Sequence, residues 1–517
     1  MLTASLLTLA GCAAVPTLAP AEASVPTVTP PRAPRELRGA WIATVDNIDW
    51  PSRRGLSAAA QRAEMHHLLD RAQALGLNAL MLQVRPATDA IYPSALEPWS
   101  EYLSGAQGRA PEAGWDPLAS WVEAAHRRGI ELHAWFNPYR AWHPSARGAP
   151  AANHVSLTKS PLVRRYGDMM WLDPGEPEAA AHTLAVVADV LRRYDIDGVH
   201  IDDYFYPYPV KAPNAPDGAE ISFPDDAPFQ RYLDGGGALM RDDWRRDNVN
   251  RLVQALHATV RRIKPHARFG ISPFGLGRPE LRPVGIEGFS QYHKLYADVE
   301  LWIEQGWFDY LAPQLYWPLD SEPQAFAVLL DYWARRVGPV KHLWPGLFTS
   351  SIPGAAARPP PAGRAWKALE ILKQVASQRI QEGASGHIHF SMVALLQDRD
   401  GVATQLRGGL YRDAALAPAS PWLDQRRPDA PTLRRLPSQP AAGVTITPAA
   451  GDAQPFVWAL WLRSAAGWRF VVRPGHETRF MPVVDGAVAD VMVASAVSRT
   501  GQESARATLR VALAGAP

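Results

Sequence analysis

Two adjacent aspartates, Asp202 and Asp203, follow a short apolar segment in DGVHIDDYFYP (197–207). Like charges in contact raise each other's pKa, so neighbouring carboxylates cost stability unless the protein uses them. Three aromatic residues and a proline come directly after the pair, and aromatic faces can stack on sugar rings. Hydrolysis of a glycosidic bond needs a carboxylic acid and a second carboxylate about 5 to 9.5 Å away. The stretch therefore predicts a glycosidase site, with Asp202 as the first catalytic candidate.

The second carboxylate has several candidates. Neighbouring side chains on an extended strand point to opposite sides, so Asp203 completes the pair only if the chain turns there. Asp46 is the candidate from across the sheet, and Asp173 and Glu176 in WLDPGEP are candidates from a loop. We predict Asp202, Asp203 and Asp46 as the catalytic set.

Eight strand-like apolar runs alternate with helical patterns between residues 36 and 411 and could position these side chains. The runs are residues 37–46, 78–86, 131–139, 198–204, 268–275, 310–317, 342–350 and 386–392. This alternation predicts a (β/α)₈ TIM barrel, an α/β fold, with enlarged loops. A doubly wound open sheet is the competing architecture, but no Gly-rich phosphate loop follows the first strand. Without a cofactor motif, we predict no cofactor.

Side chains along a barrel strand alternate between the surrounding helices and the barrel axis. With the apolar residues toward the helices, the inward positions are Thr44, Asp46, Gln83, Arg85, His133, Trp135, Asn137, His200, Asp202, Gln314, Tyr316, His389 and Ser391. For His133 we favour a hydrogen-bonded place in an inner layer. His200, Asp202 and His389 would suit a metal ion, but no short His/Asp ligand spacing supports one, so we predict no metal site.

Barrel enzymes keep their active sites at the carboxyl ends of the strands. Aromatic residues there could stack on sugars, and arginines would suit an acidic or lactyl-bearing glycan. The predicted substrate-binding residues are Arg85, Trp50, Asn137, Tyr139, Arg140, His200, Tyr204, Gln314, Tyr316, Trp317 and His389.

The amino-terminal segment predicts a lipid anchor. The only cysteine, Cys12, excludes an intrachain disulfide and ends LTLAGC (7–12), which resembles the lipobox of bacterial lipoproteins. Residues 1–12 are then a lipoprotein signal peptide and lipobox, and cleavage leaves Cys12 as the lipid-modified amino terminus. Ala13, in place of an aspartate, favours the outer membrane, so we expect a lipoprotein that faces the periplasm.

Composition divides the remainder of the chain. Residues 13–35 are a Pro/Ala-rich tether, 36–411 the barrel, and 412–440 a proline-rich linker. Short strands and turns in 441–517 predict a small fibronectin- or immunoglobulin-like β-sandwich. The net charge of +2 gives no electrostatic basis for nucleic-acid binding, so we predict none.

Several motifs resemble the glycosyl-hydrolase-like ten family over about residues 36–411. They are ELRGAWIATVDNIDWPS (36–52), GLNALMLQVRPATDAIYPSALEPWS (76–100), WFNPYR (135–140), WLDPGEPE (171–178), DGVHIDDYFYP (197–207), GISPFG (270–275) and APQLYW (312–317). The resemblance implies a bacterial (β/α)₈ glycosidase of the cell envelope, often a lipoprotein. It implies a catalytic role for Asp202, because DGVHIDD is similar to the fourth-strand motif of other barrel glycosidases. A chitinase-like pattern would need acidic residues where His200 and Tyr204 stand, so a substrate-assisted mechanism is not supported.

Some members of that family are implicated in cutting peptidoglycan strands from which amidases have removed the peptides. We therefore predict an enzyme that cleaves peptide-free (denuded) peptidoglycan, with polysaccharide as its partner and cell-division proteins as further partners. Two alternatives stay open at this point. One is a glycan-binding lipoprotein without catalysis, and the other is a hydrolase of a secreted exopolysaccharide.

Overall fold

A computed structural model describes residues 29–212, 218–338, 340–354, 365–436, 443–484 and 486–511. The predicted lipidation site Cys12 and the tether up to residue 28 lie outside these residues. Within the described ranges, no helix has both the length and the apolar character that a membrane span requires.

The core of the fold is a sheet of parallel strands. Its strands are β1 (Leu37–Ile42), β2 (Ala79–Arg85), β3 (Glu131–Phe136), β4 (Gly198–Ile201), β5 (Arg268–Ile271), β6 (Tyr310–Leu311), β7 (His342–Leu343), β8 (Gly346–Leu347) and β9 (Gly386–His389). Their order in space is β7-β6-β5-β4-β3-β2-β1-β9-β8.

The two edge strands, β7 and β8, are consecutive in the chain and close the sheet. Only Trp344 and Pro345 separate them, and proline lacks the N–H that would continue the ladder. Leu343 bridges Ala384, and Gly346 bridges Gln314, so each half reaches the strand on the other side. β7 and β8 together form one interrupted barrel strand, which confirms the predicted (β/α)₈ barrel.

Helices surround the barrel. They are Ala58–Leu75, Glu101–Ser104, Pro117–His126, Val155–Thr158, Pro177–Arg193, Asp226–Asp234, Arg241–Ile263, Gln291–Lys294, Val299–Gln305, Phe326–Val337, Ala368–Ile380, Met392–Leu396 and Val402–Gly408. Three short strands, Arg140–Trp142, Met169–Leu172 and Val163–Tyr166, form a separate sheet after β3.

The two faces of the barrel strands contribute to different hydrophobic clusters. The outward residues, such as Val199 and Ile201 of β4, pack in the large core with the helices. The barrel interior is filled by Leu37, Trp41, Ala43, Ala79, Met81, Trp135, Tyr310, Ala312, Trp344 and Ile388. The predicted alternation is therefore correct for β3 and β4, and for the chain that continues β6.

The predicted alternation is wrong for the first and last strands. On β1 the inward residue is Trp41, followed by Ala43, and on β9 it is Ile388. All six residues of β1 are buried, and its polar residue, Arg38, shares the outward register with Ala40 and Ile42 and pairs with Glu36, so polarity does not reveal which face is inward. On β9 the outward His389 is satisfied by Thr349 and by Tyr411, so a polar residue there does not mark the interior.

The carboxyl-terminal residues form antiparallel sheets, as expected for a β-sandwich. One sheet orders Thr432–Arg435, Val444–Thr447 and Arg479–Phe480, and the other orders Gly467–Pro474, Val457–Ser464, Val491–Val497 and Ala507–Arg510. A hairpin pairs Val483–Val484 with Ala487–Val488. Val444 and Ile446 of the first sheet share a buried cluster with Trp458 and Met492 of the second. The first of these strands begins at Thr432, inside the segment predicted as a linker.

The β-sandwich packs against the base of the barrel, defined here as the amino ends of its strands. Arg499 forms ion pairs with Asp195 at 2.5 Å and with Asp197 at 2.6 Å, both just before β4. Arg268, the first residue of β5, donates its Nε to Ser420 Oγ at 2.9 Å. The chain also joins the barrel at this end, where Glu36 N donates to the carbonyl of Leu416.

Candidate active site

A cavity of about 280 Å³ lies at the carboxyl ends of the barrel strands. We call it the mouth cavity. Its lining residues are Trp41, Ala43, Val45, Ile48, Gln83, Trp135, Arg140, His143, Asp202, Asp203, Tyr204, Tyr208, Ser272, Gln314, Tyr316, Phe348 and Phe390. The structure thus brings Asp202, Asp203, Arg140, Tyr204, Gln314 and Tyr316 together from the predicted set.

Asp202 is positioned by side chains of β3 and of the loop that follows it. Trp135 Nε1 donates to its Oδ2 at 3.0 Å, and Asn137 Nδ2 lies 3.2 Å from both carboxylate oxygens. Burial raises the pKa of Asp202 to about 7, and the neighbouring charge of Asp203 acts in the same direction. Asp202 therefore holds a proton at pH values where most aspartates have lost it.

Asp203 reaches the same cavity because β4 ends at Ile201 and the chain bends. The Tyr208 hydroxyl donates to Asp203 Oδ2, and Gln314 also hydrogen-bonds the carboxylate. Burial raises the pKa of Asp203, while these two hydrogen bonds oppose the rise. The donors to Asp202 and those to Asp203 come from different sides of the cavity.

Four aromatic side chains, Trp41, Tyr316, Phe348 and Phe390, line the same cavity as the carboxyl groups, and we call them the aromatic wall. The ring of Tyr316 stacks on Phe348 with centroids 4.9 Å apart and planes at 26°. Phe390 lies 5.7 Å from Tyr316 and 6.1 Å from Trp41, again between ring centroids. An apolar aromatic surface beside two carboxyl groups suits a sugar ring, whose C–H face is apolar and whose edge is polar.

Two basic side chains complete the lining. Arg140 is 3% exposed, its Nε donates to the Pro86 carbonyl at 3.0 Å, and its guanidinium carbon lies 4.9 Å from the centroid of the Tyr204 ring. His143 is half-buried, and burial together with the Arg140 charge lowers its pKa to about 4. His143 is therefore a neutral imidazole at physiological pH.

Asp46 lies outside the cavity lining, in contrast to its predicted role across the barrel. The chain leaves β1 after Ile42, and Asp46 sits in a short 3₁₀ turn, Val45–Asn47, with φ of 54°. Its carboxylate is half exposed and lies 3.9 Å from Arg54 Nη2. The alternation rule does not extend to it, because it is no longer part of a strand.

Asp173 and Glu176 are also absent from the lining of the mouth cavity. Arg164 pairs with both, at 3.0 Å and 2.8 Å. Burial raises the pKa of Asp173 to about 7 as well, so a raised pKa by itself does not identify the site.

Two predicted substrate-binding residues support the site from behind. Arg85 is fully buried and pairs with Glu97, and its Nη1 donates to the carbonyls of Asn137 and Pro138. It thus fixes the loop from which Asn137 reaches Asp202. Neither Arg85 nor Asn137 is among the lining residues.

His200 lies in the barrel interior, below the mouth cavity. Trp41 Nε1 donates to His200 Nε2 at 3.0 Å, which leaves the proton of the neutral ring on Nδ1, 3.0 Å from the Tyr310 hydroxyl. That hydroxyl in turn lies 2.9 Å from His133 Nδ1, and His133 Nε2 lies 3.2 Å from Glu131 Oε2. Burial keeps the pKa of His200 well below its usual value. His200 therefore orients Trp41 in the lining, and His133 has the inner-layer place predicted for it.

The other predicted stacking residues belong to hydrophobic packing. Trp50 is fully buried and donates its Nε1 to the Gln61 carbonyl at 3.0 Å, and Tyr139 is also fully buried. Trp317 packs edge-on to Phe274 and, like His389, does not line the cavity. These residues were predicted because aromatic and imidazole side chains near strand ends resemble ligand contacts, although here they fill space.

Several residues that line the mouth cavity were not predicted as site residues from the sequence. Trp135 was placed inward but not in the site, and Phe348 and Phe390 each directly follow a barrel strand. That position after β8 and β9 was the available signal. Tyr208 and His143 come from long loops, whose path the strand pattern does not determine. Among the described residues, no group of three or more His, Cys, Asp or Glu side chains could hold a metal ion.

Comparison with known proteins identifies the family. The family model described as glycosyl hydrolase-like 10 matches residues 36–361. Glycosyl hydrolase YngK of Bacillus subtilis (strain 168) is 41% identical over 422 residues, 80% of this chain and 79% of that protein. Glycosyl hydrolase DigH of Escherichia coli (strain K12) is 35% identical over 363 residues, 66% of this chain and 80% of that protein. A solved structure, the PgaB (BpsB) glycoside hydrolase domain from Bordetella bronchiseptica, is 14% identical with a TM-score of 0.44 and covers 72% of this chain and 98% of that chain.

The family model spans more than half of the chain, and its match includes the segment that carries Asp202 and Asp203. The chain therefore belongs to the glycosyl hydrolase-like 10 family and is a glycoside hydrolase.

Proposed function

We propose that this enzyme cleaves peptide-free peptidoglycan strands, with Asp202 as general acid and Asp203 as the second carboxylate. The observation that carries the proposal is the unequal environment of two adjacent buried carboxyl groups. Two hydrogen bonds favour the ionised form of Asp203, and the charge of Asp203 helps to keep Asp202 protonated. Pairs of carboxyl groups whose pKa values are pushed apart are typical of acid and base roles in glycosidases.

The proposed substrate rests on three further features. The aromatic wall of the mouth cavity suits a sugar ring, and the site is open at the carboxyl end of the barrel, where a polymer can reach it. The resemblance of the barrel motifs to envelope glycosidases favours peptidoglycan. The sequence LTLAGC before the tether supports a location at the outer membrane, on the periplasmic side. Cell-division proteins remain proposed partners on the same basis.

The first prediction concerns Asp202→Asn. Asparagine keeps the size of the side chain but cannot donate a proton to the leaving oxygen, so we expect cleavage to fall by roughly 10²- to 10⁴-fold. The measurement is release of soluble sugars, by mass spectrometry, from peptidoglycan that an amidase has stripped of its peptides. Asp70→Asn, at an exposed helical position, is the matched control and should cleave at the wild-type rate.

A wild-type rate for Asp202→Asn would refute the assignment of the acid. The same assay on a secreted exopolysaccharide shows which of the two polymers, this one or peptide-free peptidoglycan, is the substrate. If the wild-type enzyme releases sugars only from the exopolysaccharide, the proposed substrate is wrong while the carboxylate assignment stands.

A further inference from the structure

Arg140 is the one strongly buried arginine that lacks an acidic partner within the described part of the chain. Five other arginines with less than 9% exposure each form an ion pair there: Arg38 with Glu36, Arg85 with Glu97, Arg245 with Asp225, Arg246 with Asp243 and Arg268 with Glu131. Burying an unpaired charge is costly, so buried guanidinium groups are normally neutralised. Arg140 is held in that unfavourable state beside an open cavity.

The two catalytic candidates do not supply the missing partner. The Arg140 charge lowers the pKa of both Asp202 and Asp203, so the groups interact, but neither carboxylate forms an ion pair with the guanidinium. Their oxygens already accept hydrogen bonds from neighbouring side chains. Arg140 itself donates to the backbone through Nε and hydrogen-bonds Tyr204, whose hydroxyl is neutral at physiological pH. The Arg140 guanidinium therefore has no ion-paired carboxylate in the described part of the chain, and the carboxyl groups of Asp202 and Asp203 act on it without direct contact.

His143 adds a second donor beside Arg140. The backbone N–H of Ser145 donates to His143 Nδ1 at 3.1 Å, so the proton of the neutral ring is on Nε2. No described residue accepts a hydrogen bond from this Nε2, and His143 lines the same cavity. This part of the wall thus offers hydrogen-bond donors and positive charge, and it complements a group that only accepts. The planar fork of a guanidinium matches a carboxylate in particular.

We propose that Arg140, assisted by His143, binds a carboxylate carried by the sugar and so makes the enzyme selective for acidic glycans. The inference rests on the proposed function, and it specifies which chemical group of the glycan is recognised. Peptide-free peptidoglycan offers a suitable group, because removal of the peptide leaves a free lactyl carboxylate on every second sugar.

The test measures binding, so that it does not depend on turnover. The full chain carrying Asp202→Asn is titrated calorimetrically at pH 6 with soluble peptide-free glycan oligosaccharides, and with the same oligosaccharides after their carboxyl groups are reduced to alcohols. Asparagine is a fair substitute at this pH, because Asp202 with a pKa of about 7 is mostly protonated there. We expect the acidic form to bind roughly 10- to 100-fold more tightly than the reduced form.

Further substitutions in the Asp202→Asn protein test whether Arg140 causes the preference for the acidic form. Arg140→Gln should abolish this preference. Arg140→Lys should retain part of it, because lysine keeps the positive charge but lacks the planar fork of donors. Arg147→Gln, at an exposed arginine later in the same loop, is the matched control and should leave the preference unchanged. If Arg140→Gln does not fold, as judged by thermal denaturation, the lysine variant carries the comparison.

Three results would overturn the inference: equal binding of both forms by the Asp202→Asn protein, no binding of the acidic form, or an equal loss for both forms on changing Arg140. The last result would mean that Arg140 acts only on the catalytic carboxyl groups. Failure of the proposed function looks different, because the wild-type enzyme would then not cleave the glycan even though the preference for the acidic form is intact.

Discussion

The hydroxyl of Tyr208 is a single group whose removal should change the pH dependence of the reaction. It donates to Asp203, while its ring stacks on Phe289 with centroids 5.2 Å apart, which fixes its direction. A donor stabilises the ionised carboxylate, so this contact keeps the pKa of Asp203 lower than burial alone would set it. In the proposed mechanism, Tyr208 is therefore a positioning residue that lowers the pKa of Asp203.

The hydrogen bond from Tyr208 to Asp203 gives a prediction about the pH dependence of kcat/KM. If Asp203 must be ionised and Asp202 protonated, kcat/KM falls at low pH as Asp203 gains a proton and at high pH, near 7, as Asp202 loses one. Tyr208→Phe removes the donor and raises the pKa of Asp203, so the acidic limb should move to higher pH. The measurement is the pH dependence of kcat/KM for the wild type and the variant. A shift of the basic limb alone would contradict this assignment.

At the residue scale, the positions that continue β4 and β6 were informative, whereas Asp46 after β1 and His389 on β9 were not. Asp202, Gln314 and Tyr316 could be placed in the site because each continues a strand whose register the apolar neighbours reveal. Trp50 and Tyr139 could not be distinguished from sugar-stacking residues, since burial beneath a loop depends on tertiary packing. The unpaired state of Arg140 is likewise invisible in the sequence, because it depends on where every carboxylate lies.

At the scale of elements, the barrel strands illustrate what alternation can and cannot predict. The register of β3 and β4 was predictable because polar and apolar residues alternate along them. β1 is buried on both faces and gives no such contrast. The break between β7 and β8 at Pro345 was not predicted either, although proline in a strand is a recognisable signal of interrupted pairing.

Gly270 on β5 gives a prediction at this scale. A Cβ at this position would lie 1.9 Å from Cζ of Tyr310, whose ring fills the barrel interior above it. Gly270→Ala must displace that ring and the histidine contacts of its hydroxyl, so we expect a loss of roughly 1–3 kcal/mol in the free energy of unfolding. Urea denaturation followed by circular dichroism measures it.

Gly408 is the matched control for Gly270. It lies in the helix Val402–Gly408 and is exposed, and a methyl group added to its Cα would have no neighbouring atom within 4 Å. Gly408→Ala should leave stability unchanged or raise it by up to about 1 kcal/mol, because alanine loses less backbone entropy in a helix. Equal destabilisation by the two substitutions would contradict the account of the crowded barrel interior.

At the scale of the whole molecule, the barrel has two functionally different ends. The mouth cavity occupies the carboxyl ends of the strands. The β-sandwich is fixed to the base through Arg499, and Ser420 in the segment before it accepts a hydrogen bond from Arg268. Fold class and the sandwich could be predicted from patterns repeated over many residues. The docking of the sandwich on the base could not, because it depends on a few ion pairs between segments distant in sequence.

The proposed lipid anchor gives the prediction for the whole molecule. Stable attachment to a bilayer needs more than one acyl chain, and lipidation of Cys12 would supply them. In a strain that expresses Cys12→Ser with an intact export signal, we expect the protein to move from the membrane fraction to the soluble periplasmic fraction. Fractionation with immunoblotting measures this. Retention of the variant in the outer membrane would show that the cysteine is not the anchor.

The junction at Glu36 and Leu416 has a practical consequence for handling the enzyme. A bead or sensor chip that is coupled through the residues before Glu36 is attached at the base of the barrel, at the end opposite the mouth cavity. The mouth cavity then faces the solvent, where a large insoluble polymer can approach it. Immobilised in this direction, the enzyme should digest a suspended insoluble glycan as readily as it does when free.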